Sequence, residues 1–431
     1  MILGRREFLK KTAAGAFGAS WAALKGASRD AGEKASAPKI KEYRTLGRTG
    51  FRVSDISAGS IQDDGVLRAA LDAGINYIDS AEQYLGHHRL IAKAVEGLDR
   101  KSLFITTKLE VLKDVSKEGF LTRARKCLED LRMEYVDCLM MHMPEKAETL
   151  KTEGFHSAMN ELKAAGRVRY VGVSNHGSFW FRDPEESMER VLFAAAEDGR
   201  FDVVLMAHNF LNMDQSDKVL RVCREKNIGV ALMKATPIAI YYSLKDRVEL
   251  ARKEGKEVHP LYAEGLKRYE DKLRRAQAFI KDHNLKGPED IKAAAIQFVL
   301  SEPDVHTVCC LPKTYEELDS FLKLSGTRLD EKGSGLLQAY REGCGEFYCR
   351  HGCGICEPTC PHGVPVNTIM RYYQYFAGRG REREAMIQYA GIPGARGDAC
   401  QTCPGYCEEH CPYGVPVRGM LLAAHNRMSF P

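Results

Sequence analysis

The strongest constraint on this chain is a repeated alternation. From about residue 51 to 326, eight short apolar runs of strand character alternate with amphipathic, helix-like segments. The runs are Val53–Ser60, Asn76–Ala81, Leu103–Leu109, Tyr135–His142, Val168–Asn175, Phe201–Asn209, Gly229–Ala235 and His306–Lys313. Segments such as Asp63–Ala73, Lys117–Arg132, Gly154–Ala165 and Ile291–Leu300 lie between them. Near-continuous apolar strands separated by helices imply a parallel sheet with helices covering it. Eight β-then-α units in sequence predict an α/β fold, a closed (β/α)8 TIM barrel over residues 43–326. A doubly wound sheet would want a G-x-G-x-x-G turn after its first strand, and that string does not occur. One connection is long. Residues 236–287 form an insertion that includes the helix-prone run Leu261–His283. At the mouth of a barrel, such an insertion shapes a substrate site or a docking surface.

Composition narrows the function classes. Of 431 residues, 44% are hydrophobic and 28% charged, which excludes a disordered, collagen-like or coiled-coil chain. No apolar run is long enough for a membrane bundle, so no transmembrane segment is expected in the mature chain. The net charge is +5, and residues 1–40, with eight basic and three acidic side chains, account for all of it. The body of the chain therefore advertises no nucleic-acid partner.

The first residues carry their own signal. Gly4-Arg5-Arg6-Glu7-Phe8-Leu9-Lys10 precedes an uncharged, Ala- and Gly-rich stretch from Thr12 to Leu24, too short to span a bilayer. The paired arginines followed by Phe-Leu-Lys resemble the twin-arginine export signal. This predicts a signal peptide and linker over residues 1–37, and a periplasmic or cell-envelope location. The twin-arginine route moves folded proteins, which would suit a chain that acquires a metal cluster before export.

Three strand ends converge on one chemistry. Active sites of this fold lie at the C-terminal ends of the strands. Asp79 ends the second run, Lys108 the third and His142 the fourth, and Tyr84 follows Asp79 by five residues. A charged or imidazole group at the end of an apolar strand is costly without a partner. This set, in this order, resembles the catalytic tetrad of the aldo-keto reductases. Val171-Gly172-Val173-Ser174-Asn175 is similar to the family's fifth-strand motif, and Lys313-Thr314 to its adenosine-phosphate contact. The resemblance implies hydride transfer between NAD(P)(H) and a small carbonyl or alcohol. Tyr84 would donate the proton, Lys108 would lower its pKa, Asp79 would hold Lys108, and His142 would orient the carbonyl. Ser174, Asn175, Lys313 and Thr314 would bind the cofactor. The sequence also departs from the family. Leu205 stands where Gln is expected, and Asp319 where an Arg often clamps the adenosine phosphate. Asp319 thus favours NADH over NADPH.

The cysteines are the remaining signal. Nine of 14 lie between Cys344 and Cys411, whereas Cys127, Cys138, Cys223, Cys309 and Cys310 sit in apolar contexts and suit a core. Two runs resemble each other: Cys349-x3-Cys353-x2-Cys356-x3-Cys360-Pro361 and Cys400-x2-Cys403-x3-Cys407-x3-Cys411-Pro412. Iron–sulfur ligation, structural zinc and disulfides are all open to such spacing, and the duplicated Cys-Pro ending favours the first. The runs are similar to bacterial ferredoxin motifs. That resemblance implies a small, mostly helical ferredoxin-like iron–sulfur domain over residues 344–431 with two [4Fe–4S] clusters. Cys349, Cys353 and Cys356 would bind one with Cys411; Cys400, Cys403 and Cys407 would bind the other with Cys360. The aromatic stretch Ile369–Phe376 between the runs suits packing rather than binding. The combined expectation is an exported aldo-keto reductase carrying two clusters. The alternative is an exported iron–sulfur electron-transfer subunit, with a redox partner protein and a barrel that serves only for docking.

Overall fold

The computed structural model describes residues 37–111, 114–177, 186–237 and 289–429, and residues 255, 274, 278, 279 and 281–284 between the last two stretches. The expected leader, apart from Ala37, and nearly all of the 236–287 insertion lie outside the described residues.

The alternation closes as expected. Strands β3 (Ile56–Ala58), β4 (Tyr77–Asp79), β5 (Phe104–Glu110), β6 (Val136–His142), β7 (Val168–Asn175), β8 (Val203–Ala207), β9 (Gly229–Met233) and β10 (Thr307–Cys310) form one closed parallel barrel. The seam pairs β10 with β3, Cys310 opposite Ala58. Helices α1 (Asp64–Asp72), α2 (His87–Ala94), α3 (Lys117–Leu131), α4 (Glu153–Ala164), α5 (Met188–Asp198), α6 (Asp217–Glu225), α7 (Glu289–Ser301) and α8 (Tyr315–Leu322) follow the strands in turn. Side chains alternate in and out along each strand. One parity, with Ile78, Ile105, Leu139, Val173 and Val204, packs under the helices. The other, with Tyr77, Phe104, Cys138, Met140, Val203, Leu205 and Ala231, fills the barrel interior. Gly172 faces inward because a Cβ there would lie 2.7 Å from Met140 Cγ and 2.9 Å from Cys138 Sγ.

An antiparallel hairpin, β1 (Tyr43–Thr45) with β2 (Arg52–Ser54), plugs the N-terminal end. Its Leu46, Phe51 and Val53 join the interior cluster. The turn passes so close to β9 that a Cβ on Gly47, at φ +46°, would meet Gly229 N at 2.3 Å. Only glycine meets both demands.

Beyond the barrel come α9 (Glu331–Cys344), α10 (Val366–Arg379), α11 (Glu382–Ala390), α12 (Tyr406–Glu409) and α13 (Val417–Met428). The duplication seen in the cysteine runs extends to helix starts. Glu357 Oε1 accepts from Asn367 N at 2.6 Å at the head of α10, and Glu408 Oε1 accepts from Arg418 N at 2.7 Å at the head of α13. Each carboxylate satisfies an N–H that a helix leaves unpaired. The expected ferredoxin-like domain is nonetheless not distinct. Its apolar residues share one core with Phe210 and Leu211 after β8 and with Ile291 and Ala295 of α7, and Pro38–Pro431 form a single compact unit. The physical reason is the shared burial: the core that the segment builds takes in barrel residues and is not separate from them.

Two buried polar systems hold the barrel. Near its base, Asp137 accepts from Ile105 N at 2.9 Å and pairs with Arg100 at 2.7 Å and Arg169 at 3.0 Å. Both guanidinium groups lie over the Tyr135 ring, at 4.0 and 4.1 Å. Higher up, three buried histidines each meet a hydroxyl: His87 with Ser80 at 2.9 Å, His88 with Thr107 at 2.8 Å and His208 with Ser216 at 2.7 Å.

Asp137→Ala should cost about 2–3 kcal/mol, because it frees two cations and one N–H at once; chemical denaturation measures this, and a loss near zero would contradict the role. The histidines set an acid limit. Burial lowers His87 to about 3, and His88 and His208 to about 4. Below the ordinary value of 6.5 the unfolded chain binds protons that the folded chain refuses, so stability is full above that pH and falls beneath it. Each histidine withdraws at most about 2 kcal/mol at pH 5. Carboxyls that burial raises, Glu357 to about 7 and Asp55 above its usual value, act in the opposite sense and offset part of this. The melting temperature should therefore fall between pH 6.5 and 5, more steeply than in His208→Gln. A flat profile would contradict the assignment.

Candidate active site

The inward parity of the strands continues upward into a polar layer. Asp79 lies two residues above Tyr77, Lys108 four above Phe104, His142 two above Met140, and Ser174 two above Gly172. The structure thus brings Asp79, Lys108 and His142 to one mouth, as expected.

Lys108 is 1% exposed and needs compensation. It donates to Asp79 Oδ2 at 2.7 Å and to the Ser80 carbonyl at 2.7 Å. Thr106, opposite Asp79 in the register, donates to Asp79 Oδ1 at 2.9 Å. The loop after β4 carries Tyr84. Glu82 N donates to the Lys108 carbonyl at 3.1 Å and Tyr84 N to Ala81 O at 3.0 Å, which turns the ring inward. The Lys108 ammonium lies 5.1 Å from the Tyr84 ring centroid. The His142 ring meets Tyr84 edge-on, at 6.4 Å and 90°.

One electrostatic expectation is corrected. Lys108 does not bring the Tyr84 phenol below its usual value. Burial of the half-buried ring pushes it up, Asp79 adds to this, and Arg381 acts against it. Lys108 stands over the ring and pairs with Asp79. The phenol is therefore held protonated.

His142 is neutral, because burial and then Lys108, Arg371 and Lys234 all disfavour its charged form. Its Nδ1 lies 3.0 Å from Gln83 Oε1, while His142 Nε2 and Gln83 Nε2 are buried without partners. With Gln83 oriented this way, Nδ1 donates and Nε2 carries a lone pair. Turning the Gln83 amide over would place the proton on Nε2, the form that can donate to a carbonyl oxygen. Gln83 was not among the expected residues, and its only sequence signal is its place beside Tyr84.

The expected cofactor contacts are dispersed. Ser174, opposite His142 of β6 on one side and Leu205 of β8 on the other, has its Oγ buried without a partner. Asn175 donates to Pro144 O at 3.0 Å and accepts from Gly177 N at 3.0 Å. Thr314 caps α8, accepting from Glu317 N at 3.2 Å. Lys313 borders a cavity of about 510 Å³ on the β3, β9 and β10 side of the mouth. None of Asp79, Tyr84, Lys108 and His142 borders it. Its charged lining is Lys234, Lys292, Lys313 and Arg381 against Asp63 and Glu317. Asp319, the expected acidic neighbour of a phosphate, is not on its wall. Glu317 is, with Oε2 accepting from Lys313 N at 2.7 Å.

Helix α10 crosses the mouth. Arg371 donates to the Gly177 carbonyl and lies 3.4 Å from His176 Nδ1, and Tyr375 OH accepts from Lys234 Nζ at 2.8 Å. Tyr372, Tyr373, Tyr375 and Phe376 are buried, as the aromatic stretch led one to expect. The sequence concealed Arg371, Lys234 and Arg381, because nothing local shows that residues 371 and 381 return to the barrel.

The cysteines are placed as follows. Cys127, Cys138, Cys223, Cys309 and Cys310 are buried core thiols, as expected, and Cys344 is buried in the shared core. Cys349, Cys353, Cys356 and Cys411 border one small pocket, and Cys360, Cys400, Cys403 and Cys407 another. All are free thiols. Among the described residues, however, no group of three or more His, Cys, Asp or Glu side chains is placed to hold a metal ion. This corrects the expectation of two [4Fe–4S] clusters, of metal ligation by these eight cysteines, and of the electron-transfer alternative built on it. The physical account is burial. Desolvation keeps Cys353 and Cys400 as thiols and pushes them up to about 12. As thiols they pack like small apolar groups: Cys356, Cys400 and Cys407 belong to the shared core, and Cys349, Cys360 and Cys411 lie against it. Nor do any described helices have the length and apolarity to cross a membrane.

The chain is similar to several known proteins. Methylglyoxal reductase DkgB of Escherichia coli O157:H7 is 33% identical over 119 residues, 27% of this chain and 44% of that protein. The 7-acetyl-epi-neemfruitin B aldo-keto reductase of Melia azedarach is 28% identical over 213 residues, 43% of this chain and 62% of that one. The chain thus spans less than two thirds of the length of these curated relatives. A solved aldo-keto reductase from Bacillus halodurans is 20% identical, with a TM-score of 0.49 over 69% of this chain and 95% of that one. The profile of the Aldo/keto reductase family matches residues 50–342. With more than half of its length matched, the chain belongs to the aldo/keto reductase family.

Proposed function

We propose that the protein is an NAD(P)-dependent oxidoreductase that reduces a small carbonyl compound to an alcohol. The observation that carries this reading is the buried Lys108–Asp79 pair with Tyr84 and His142 around one barrel mouth. The residues fit a nicotinamide dinucleotide. Ser174 Oγ is buried without a partner, and the neighbouring cavity carries four cations against two carboxylates. Ser174 and Asn175 would hold the carboxamide, and Lys313 a phosphate. When bound, the cofactor supplies the hydride that reaches the carbonyl carbon.

The chain's own residues do the rest. Tyr84, held protonated, gives its phenolic proton to the carbonyl oxygen as negative charge develops there. The C=O π bond breaks, a C–H and an O–H bond form, and a phenolate remains. Lys108 stabilises that phenolate across the ring, and Asp79 keeps Lys108 charged and in place. His142, in the tautomer that Gln83 permits, donates to the same oxygen and fixes its direction. The cover over the mouth keeps bulk water from the reacting atoms.

Methylglyoxal, the compound named for the Escherichia coli relative, is a suitable first probe. Tyr84→Phe should reduce kcat by about a hundredfold or more with the melting temperature nearly unchanged. Wild-type turnover in that variant would refute the mechanism.

We also propose that residues 1–37 direct twin-arginine export, supported by Arg5-Arg6 and the Phe8-Leu9-Lys10 that follows. Replacing both arginines by lysine should leave the protein in the cytoplasm on cell fractionation. Unchanged export would contradict this.

A further inference from the structure

The family match ends at residue 342, yet the cavity that contains Lys313 has a wall built from beyond that point. Gln374, Gly380 and Arg381 supply it. Arg381 stands between α10 and α11. Its backbone N–H donates to the Tyr375 carbonyl at 3.1 Å, and its guanidinium lies 5.9 Å from the Tyr375 ring centroid. Tyr375 in turn accepts from Lys234. The backbone bond and the ring fix the guanidinium toward the cavity, on the wall shared with Lys234.

The charge balance of the cavity shows what it is built for. Both acidic residues on the wall already serve backbone N–H groups: Asp63 accepts from Val66 N at 2.9 Å, and Glu317 from Lys313 N at 2.7 Å. The four cations come from four separate stretches of the chain: Lys234 follows β9, Lys292 lies in α7, Lys313 follows β10 and Arg381 joins α10 to α11. Arg381 pairs with Glu384 at 2.5 Å on its outer side, and both are partly exposed. An exposed pair of this kind is weak and leaves the cation able to take a second anion. A guanidinium presents five N–H groups in a fork matched to phosphate oxygens.

We infer that Arg381, from the segment outside the family match, binds a phosphate of the dinucleotide and so makes α10 and α11 part of the cofactor site. This rests on the dinucleotide reading above. Either the diphosphate or an adenosine 2′-phosphate presents the required chemistry, and the two nucleotides tell them apart.

The test is a direct binding titration of NADH and NADPH, followed by nucleotide fluorescence, with no substrate present. Arg381→Gln should weaken binding about tenfold or more, the loss of a charge-assisted contact. Loss for both nucleotides assigns the diphosphate, and loss for NADPH alone assigns the 2′-phosphate. Arg381→Lys should keep part of the affinity. Glu384→Gln, which releases the guanidinium from its partner, should tighten binding. Arg383→Gln removes an exposed positive charge that does not border the cavity, and should change nothing. If wild type and Arg381→Gln bind alike, or Arg383→Gln weakens binding equally, the inference is overturned. If wild-type protein binds neither nucleotide, the dinucleotide reading itself fails and the inference falls with it. Should Arg381→Gln melt early, Glu384→Gln carries the decision: weaker binding there would overturn the assignment.

Discussion

A lysine that is almost wholly buried governs the architecture of the mouth. A buried ammonium such as that of Lys108 is costly inside a barrel without acceptors for its hydrogens. Asp79 and the Ser80 carbonyl answer two of them, and Thr106 steadies Asp79. To meet those partners, β4 and β5 must pair in the register that sets Asp79 against Thr106. A slip of one residue would turn Lys108 outward under the helices. The ion pair and the strand register therefore specify each other. Tyr84 and His142 are then arranged around a charge that is already settled.

The C-terminal segment changes the character of this barrel. An open mouth exposes its polar layer to solvent. Here α10 lies across it, tied to β7 through Arg371 and to the end of β9 through Tyr375. Its buried apolar side chains form one core together with Phe210 and Leu211 after β8 and with Ile291 and Ala295 of α7. Its cysteines join that packing. The two glutamates that cap α10 and α13 show an internal repeat whose two copies start their helices in the same way.

How much of this the chain reveals depends on the range of the interaction. Strand periodicity and helix amphipathicity are local, and they place all eight strands and the interior parity that raises Asp79, Lys108 and His142 to one level. Long-range return is not local. Nothing in the neighbourhood of Arg371 or Arg381 says that a helix nearly 200 residues beyond His176 closes over it. Electrostatic sign also escaped. Counting charges near Tyr84 suggests a lowered phenol, but desolvation, which depends on the folded surroundings, raises it and Asp79 adds to the rise. Cysteine spacing suggested ligands, whereas only three-dimensional placement decides whether thiols act as donors or as packing. Gln83 had no pattern to betray it, because its role is to set the tautomer of one ring.

The wall contributed by residues 374–381 has a consequence for the order of assembly. The barrel seam joins β10 to β3, and the cover must then arrive from still later in the chain. A nascent chain that has emerged only as far as β10 can close its cylinder but holds its polar layer open to water. Folding that proceeds from the N-terminus during synthesis would thus complete the scaffold well before the chemistry. The segment that carries Gln374 and Arg381 thus acts as a timing element that withholds a finished site until it has followed the barrel out.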